Sequence, residues 1–116
     1  MLLPTPKIQE GTLARLKLHS QKYVGKQGVR EIRGVFKGNH LFLQVVKEEK
    51  GGFIGRMFGM GSVRGIGRLA RLEYLGPNKW KFLIYKYETE KYAPYVDLQE
   101  GTIEDCVDAA ARVYLI

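Results

Sequence analysis

One cysteine, two histidines and one tryptophan among 116 residues leave little material for several kinds of chemistry. The lone Cys106 cannot build an intramolecular disulfide framework, so stability has to come from packing, in keeping with a reducing compartment. His19 and His40 lack the i, i+4 partner of a zinc helix and read as surface histidines. Glu88, Glu90, Asp97 and Glu100 come nearest to paired carboxylates, but they cluster in a polar stretch that reads as solvated loop. The residues therefore point to no catalytic group, no metal ligands and no cofactor, and to a binding protein before an enzyme. Long hydrophobic runs are also missing. The longest, at 41–46, is interrupted by Gln44 and falls far short of the roughly 20 apolar residues of a membrane-spanning helix. The opening Met1-Leu2-Leu3-Pro4 has neither the basic leader nor the sustained apolar stretch of a secretory signal, so a cytoplasmic location is expected.

What is present suffices for one α+β domain over residues 1–116, with 45% hydrophobic residues for a single core. The net charge of +7 is uneven. Residues 1–72 hold 14 Lys/Arg against 4 Asp/Glu, giving +10, whereas residues 73–116 hold 5 against 8, giving −3. A basic half attracts polyanions, or simply solubilises one face.

The stretch Leu13–Val24, after Thr12 as a cap and before Gly25 as a stop, fits a helix with Leu13, Leu16, Ser20, Tyr23 and Val24 near one face. Ala14, Leu16 and Leu18 also alternate with Arg15, Lys17 and His19, as in a half-buried strand. Gly11–Leu16 and Gly67–Leu72 nearly repeat one another, which suggests duplication or coincidence. Residues 29–36 and 41–47 flank Gly38-Asn39 and form a hairpin. Residues 69–75 and 79–87 flank Gly76-Pro77-Asn78 and form a second, in which Trp80, Phe82 and Ile84 share one side and Lys81, Leu83, Tyr85 and Tyr87 the other. Thr102 to Leu115 is an amphipathic helix: Thr102 and Asp105 resemble a capping box, and Ile103, Cys106, Val107, Ala110 and Tyr114 line its apolar stripe. The expected architecture is a four-stranded antiparallel sheet with an N-terminal and a C-terminal helix packed on one face and the other face partly open.

Residues 51–67 form a glycine-rich connection between the hairpins. Seven glycines make it costly to order, yet it carries Phe53, Ile54, Met57, Phe58 and Met60, which a flexible linker would not need. Either the loop folds back onto its own sheet, or Phe53, Met57 and Phe58, flanked by Arg56, Arg64 and Arg68, meet a second copy, another protein, an anionic lipid surface or nucleic acid. Gly65-Ile66-Gly67-Arg68-Leu69-Ala70 matches a loose dinucleotide pattern but lacks the βαβ context, and no Gly-Lys pair precedes Ser or Thr as a phosphate loop requires.

Lys79-Trp80-Lys81-Phe82-Leu83-Ile84-Tyr85 is basic and aromatic, without the glycines of the RNA-recognition strand signature. Tyr85, Tyr87, Tyr92 and Tyr95 are the rings best suited to lining an open face or groove. Val29-Arg30 through Gly38-Asn39, with Leu69-Ala70-Arg71-Leu72-Glu73-Tyr74, Lys79-Trp80-Lys81-Phe82 and Tyr92-Ala93-Pro94-Tyr95, resembles a small bacterial family of uncharacterised domains. The resemblance covers most of the chain and implies the helix, hairpin, hairpin, helix order with a Trp opening the last strand. The glycine-rich insertion and the lack of an aromatic-rich C-terminal ending depart from it, and it implies no activity. The sequence thus leads first to a non-enzymatic binding or assembly module that self-associates through the glycine-rich loop. Its alternative is a basic nucleic-acid-binding protein, and a small ribonuclease-like toxin using His40 and Arg33 comes third.

Overall fold

The computed structural model describes residues 3–50 and 62–115. Helix α1 (Pro6–Ser20) starts seven residues earlier than the apolar pattern indicates, because the capping residue is Thr5. Its Oγ1 accepts from Ile8 N at 3.2 Å, and Pro6 occupies the first helical position, where its missing N–H leaves nothing unsatisfied. Thr12, expected to cap, is instead buried within the helix beside Leu16 and Ser20. Leu13 and Val24 lie partly exposed, whereas Tyr23 is buried in the short 3₁₀ turn Gln21–Tyr23 that follows. The strand alternative for this segment is thereby removed. So is a structural duplication, since residues 11–16 are helical and residues 67–72 extended.

Strands β1 (Val29–Lys37) and β2 (His40–Lys50) form the first hairpin. β3 (Ser62–Gly76) and β4 (Lys79–Lys86) form the second around Pro77-Asn78, with Asn78 at φ 49°. Two further strands follow: β5 (Lys91–Pro94) and the two-residue β6 (Glu100–Gly101), both pairing with β4. All pairings are antiparallel, in the order β1-β2-β3-β4-β5 with β6 beside the far half of β4. The sheet therefore exceeds the expected four strands. The polar stretch 88–100 hid β5 and β6 because an edge strand needs only backbone donors and acceptors on one side and tolerates exposed Lys91 and Glu100. The glycine-rich connection is likewise shorter than it reads. Ser62–Gly67 belongs to β3, paired opposite Lys50–Val45, since glycine keeps its ladder groups even where it contributes no side chain.

Alternation along the strands separates two faces. Ile32, Leu41, Leu43, Val45, Ala70, Leu72, Trp80, Phe82 and Ile84 are buried on the first, under α1 and α2 (Ile103–Tyr114). Helix α2 has the expected capping box, with Thr102 Oγ1 accepting from Asp105 N and Asp105 Oδ2 accepting from Thr102 N. Asn78 Oδ1, at the hairpin turn, adds a third cap by accepting from Ile103 N at 3.1 Å. The stripe then seats Ile103, Cys106, Val107 and Ala110 at or below 1% exposure. Gly34 lets α1 lie close on β1: a Cβ there would stand 2.8 Å from Leu41 Cδ1 and 3.0 Å from Leu16 Cδ2. The two helices are tied by Arg15, whose Nε and Nη2 donate to Glu104, and by Asp108, which takes His19 Nε2, Lys22 Nζ and Tyr23 Oη at 2.9, 2.8 and 2.6 Å. Burial works upward on Asp108, but hydrogen bonds from Lys22, Tyr23 and His19 outweigh it and hold the carboxyl below its ordinary value. Glu104 is lowered in the same way, burial being opposed chiefly by Arg15.

Candidate functional site

Among the described residues the second face carries no helix. Register places Arg33 and Gln44, Val35 and Phe42, Phe42 and Arg71, Arg71 and Leu83, and Tyr85 and Tyr92 opposite one another on it. Neighbouring strands lie about 4.8 Å apart, so β2 and β5 are about 14 Å apart in backbone. Even so, the rings of Phe42 and Tyr92 meet with centroids 5.9 Å apart. Both side chains must therefore lean inward, over Arg71 and Leu83. Tyr92 continues the contact to Tyr85 at 4.9 Å, and Tyr85 to Tyr87 at 4.8 Å, all edge-to-face, the arrangement that aromatic quadrupoles favour.

Cations are set into this row. Arg68 Cζ lies 5.3 Å from the Tyr85 ring centroid, Arg71 Cζ 5.3 Å from that of Tyr92, and Lys37 Nζ 5.9 Å from that of Phe42. Arg68 reaches the face through a bulge. Leu43 pairs with Ala70 but Gln44 with Arg68, so Leu69 is the extra residue, and it turns inward beside Ala70 while Arg68 turns out. Among the described residues neither arginine is ion-paired, and Arg71 Nε is buried without a hydrogen-bond partner. Over the described parts of β1–β4 the face carries Arg33, Lys37, Arg68, Arg71 and Lys81 against Glu31 and Glu73, the last of these near His40 at 3.8 Å. Burial raises the Tyr92 and Tyr87 hydroxyls above their ordinary value, although Arg68 pulls the other way, so the rings stay neutral beside the guanidiniums.

Of the residues that the sequence singles out, Arg68, Tyr85 and Tyr87 come together here. Tyr87 Oη donates to the Arg68 carbonyl at 2.5 Å. Arg64 is placed by backbone pairing opposite Glu48. Phe53, Arg56, Met57 and Phe58, on which the self-associating reading depends, lie outside the described residues. Tyr95 turns to the helix-covered side, 5.9 Å from Phe82. Phe42, Arg71 and Lys37 were not singled out; a period-two reading of β2 and β3 outward from the buried Leu41 and Leu72 would have found the first two.

Other chemistry fares worse. His19 is held by Asp108, and Arg33 Nε donates to Gln44 Oε1 at 2.9 Å while His40 faces Glu73, so the proposed ribonuclease pair has separate partners. Among the described residues no cluster of His, Cys, Asp and Glu could hold a metal ion, and no helix is long and apolar enough to cross a membrane. Burial pushes the Cys106 thiol up to about 12, with Asp105 and Glu104 adding to it, which leaves no thiolate for nucleophilic work. No family model, curated protein or solved structure matches this chain.

Proposed function

We propose that the open face of the sheet binds single-stranded nucleic acid without strong sequence preference. The observation that carries this reading is the pair of arginines, Arg68 on Tyr85 and Arg71 on Tyr92, joined through the 4.9 Å contact between the two rings. Each guanidinium lies 5.3 Å from a ring centroid and carries N–H groups that suit phosphate, and neither is neutralised by a carboxylate among the described residues. Exposed rings beside such cations supply sequence-tolerant stacking surfaces for bases, and the half-exposed Tyr87 and partly exposed Phe42 and Tyr92 are the ones within reach. Phe42 and Tyr92 lean together across the face until their rings touch, which favours a narrow flexible strand over a rigid duplex. The excess of basic residues in the first 72 positions adds long-range attraction.

Anisotropy of a labelled 12-nucleotide oligo(dT) or oligo(U), titrated between 20 and 300 mM salt, tests this. Engagement of about three to five phosphates gives a log–log salt slope of roughly −2 to −3.5. Absence of binding at the lowest salt, or an Arg68→Ala/Arg71→Ala protein that binds as the parent does, refutes the proposal.

A further inference from the structure

A separate cavity of about 430 Å³ opens where β2 and β3 pass the end of α2, with Val45, Lys47, Leu69, Tyr87, Tyr114 and Leu115 in its lining. That volume lies within the range of small-molecule sites, about 300–1,000 Å³. Its tyrosines offer rings and not hydroxyls: Tyr87 Oη donates to the Arg68 carbonyl, Tyr114 Oη donates to the Tyr85 carbonyl, and the two rings meet edge to face at 5.4 Å. Val45, Leu69 and Leu115, each at or below 5% exposure, form an aliphatic floor. Gly67 keeps that floor low, since a Cβ there would stand 3.2 Å from both Tyr87 Oη and Val45 Cγ1. Lys47 is the one charged residue among the described lining, and it has no ion pair among the described residues.

An apolar chamber with a single ammonium at its wall is complementary to one kind of ligand. We propose that this cavity binds a long-chain monocarboxylate, its hydrocarbon seated against Val45, Leu69 and Leu115 and its carboxylate at Lys47. The chain gains from leaving water in proportion to the apolar area it hides, and the carboxylate gains a charge-assisted contact at the half-buried ammonium. A phosphodiester, with charge along its whole length, does not fit so apolar a chamber, so this site takes a different ligand from the nucleic-acid face, with Tyr87 bordering both.

Gly65 supplies the decisive variant. It stands opposite Lys47 in the β2–β3 ladder, on the cavity side, and a Cβ added there meets no atom within 4 Å. Phenylalanine at 65 therefore enters open space on the cavity side, in a strand that accepts aromatic residues well. The experiment follows 1-anilinonaphthalene-8-sulfonate fluorescence with the intact chain, then displacement by dodecanoate, by dodecanol and by dodecylammonium, with a thermal melt of every variant to establish folding. The expected results are saturable one-to-one binding, and displacement by dodecanoate roughly tenfold better than by dodecanol, about 1.4 kcal/mol. Gly65→Phe loses both probe and dodecanoate by more than about tenfold at an undiminished melting temperature, and Lys47→Met removes the preference for dodecanoate over dodecanol. Non-saturable probe binding, full dodecanoate binding in a folded Gly65→Phe protein, or displacement by dodecylammonium as good as by dodecanoate overturns the proposal.

Discussion

The two faces of this sheet use aromatic residues in opposite ways. On the helix-covered face Trp80 sits 5.2 Å from Tyr74 and 6.1 Å from Phe36 at full burial, with no cation over these rings among the described residues, and the rings serve as volume in a close-packed core. On the uncovered face Phe42, Tyr85 and Tyr92 each hold a lysine or arginine, and the rings serve as supports for charge. A cation over a ring on the first face would be desolvated without reward. On the second it stays wet on one side and remains available. Rings that touch only other apolar groups stabilise the fold, and rings that touch guanidiniums prepare a surface.

That contrast breaks most visibly through Phe82. Phe82→Ala should destabilise the protein by about 3–5 kcal/mol in urea unfolding, because it empties a site exposed by only 1%. Tyr92→Ala, which removes a ring of similar size from the other face, should lower oligonucleotide affinity by about 1–3 kcal/mol while the urea midpoint moves much less. Equal losses of stability for the two would erase the distinction drawn between the faces. Arg68→Ala/Arg71→Ala should flatten the salt slope of binding by about 1.4, two phosphates' worth for a single strand, with a stability change within about 0.5 kcal/mol.

Asp108 sharpens the same contrast, since here charge serves the covered side. Its folded-state value lies below the ordinary carboxylate value, so it contributes stability above about pH 4 that is lost as the pH falls through the folded-state value. Asp108→Asn, which leaves the buried Tyr23 hydroxyl poorly matched, should cost about 1–2 kcal/mol at pH 7 and flatten the acid limb of stability against pH. The smallest effect is expected at Cys106. Iodoacetamide at pH 8 should leave the native protein unlabelled and react only on unfolding, as mass spectrometry would record; rapid native labelling would mean that the α2 side of the core is open.

Much of the covered face was legible in the residues. Trp80, Phe82 and Ile84 alternate with Lys81, Leu83 and Tyr85, and the stripe from Ile103 to Ala110 recurs at helical spacing; both patterns are local and lie where they were read. The start of α1 was not, because the apolar pattern begins at Leu13 whereas the turns after the cap at Thr5 carry one aliphatic side chain, the partly buried Ile8, among Lys7, Gln9 and Glu10. Strand β5 was hidden by its lysine, its one tyrosine and its proline, which look like loop until β4 offers a partner. The open face was half legible: Arg68, Tyr85 and Tyr87 stood out as types, but nothing in the order of residues shows that Tyr92 crosses the sheet to reach Phe42.

Sequence alone determined the elements whose causes are near neighbours: the capping box of α2, the turns at Gly38-Asn39 and Pro77-Asn78, and which residues of β4 share a side. Tertiary structure alone decided the meetings between distant residues. The register of four ladders and the extra residue at Leu69 set Arg68 against Tyr85 and Arg71 against Tyr92, and packing of α2 against the β2–β3 arm left a cavity with Lys47 at its wall. Short-range periodicity specifies a face, but only strand pairing fixes which faces and side chains meet, since a shift of one residue exchanges them all.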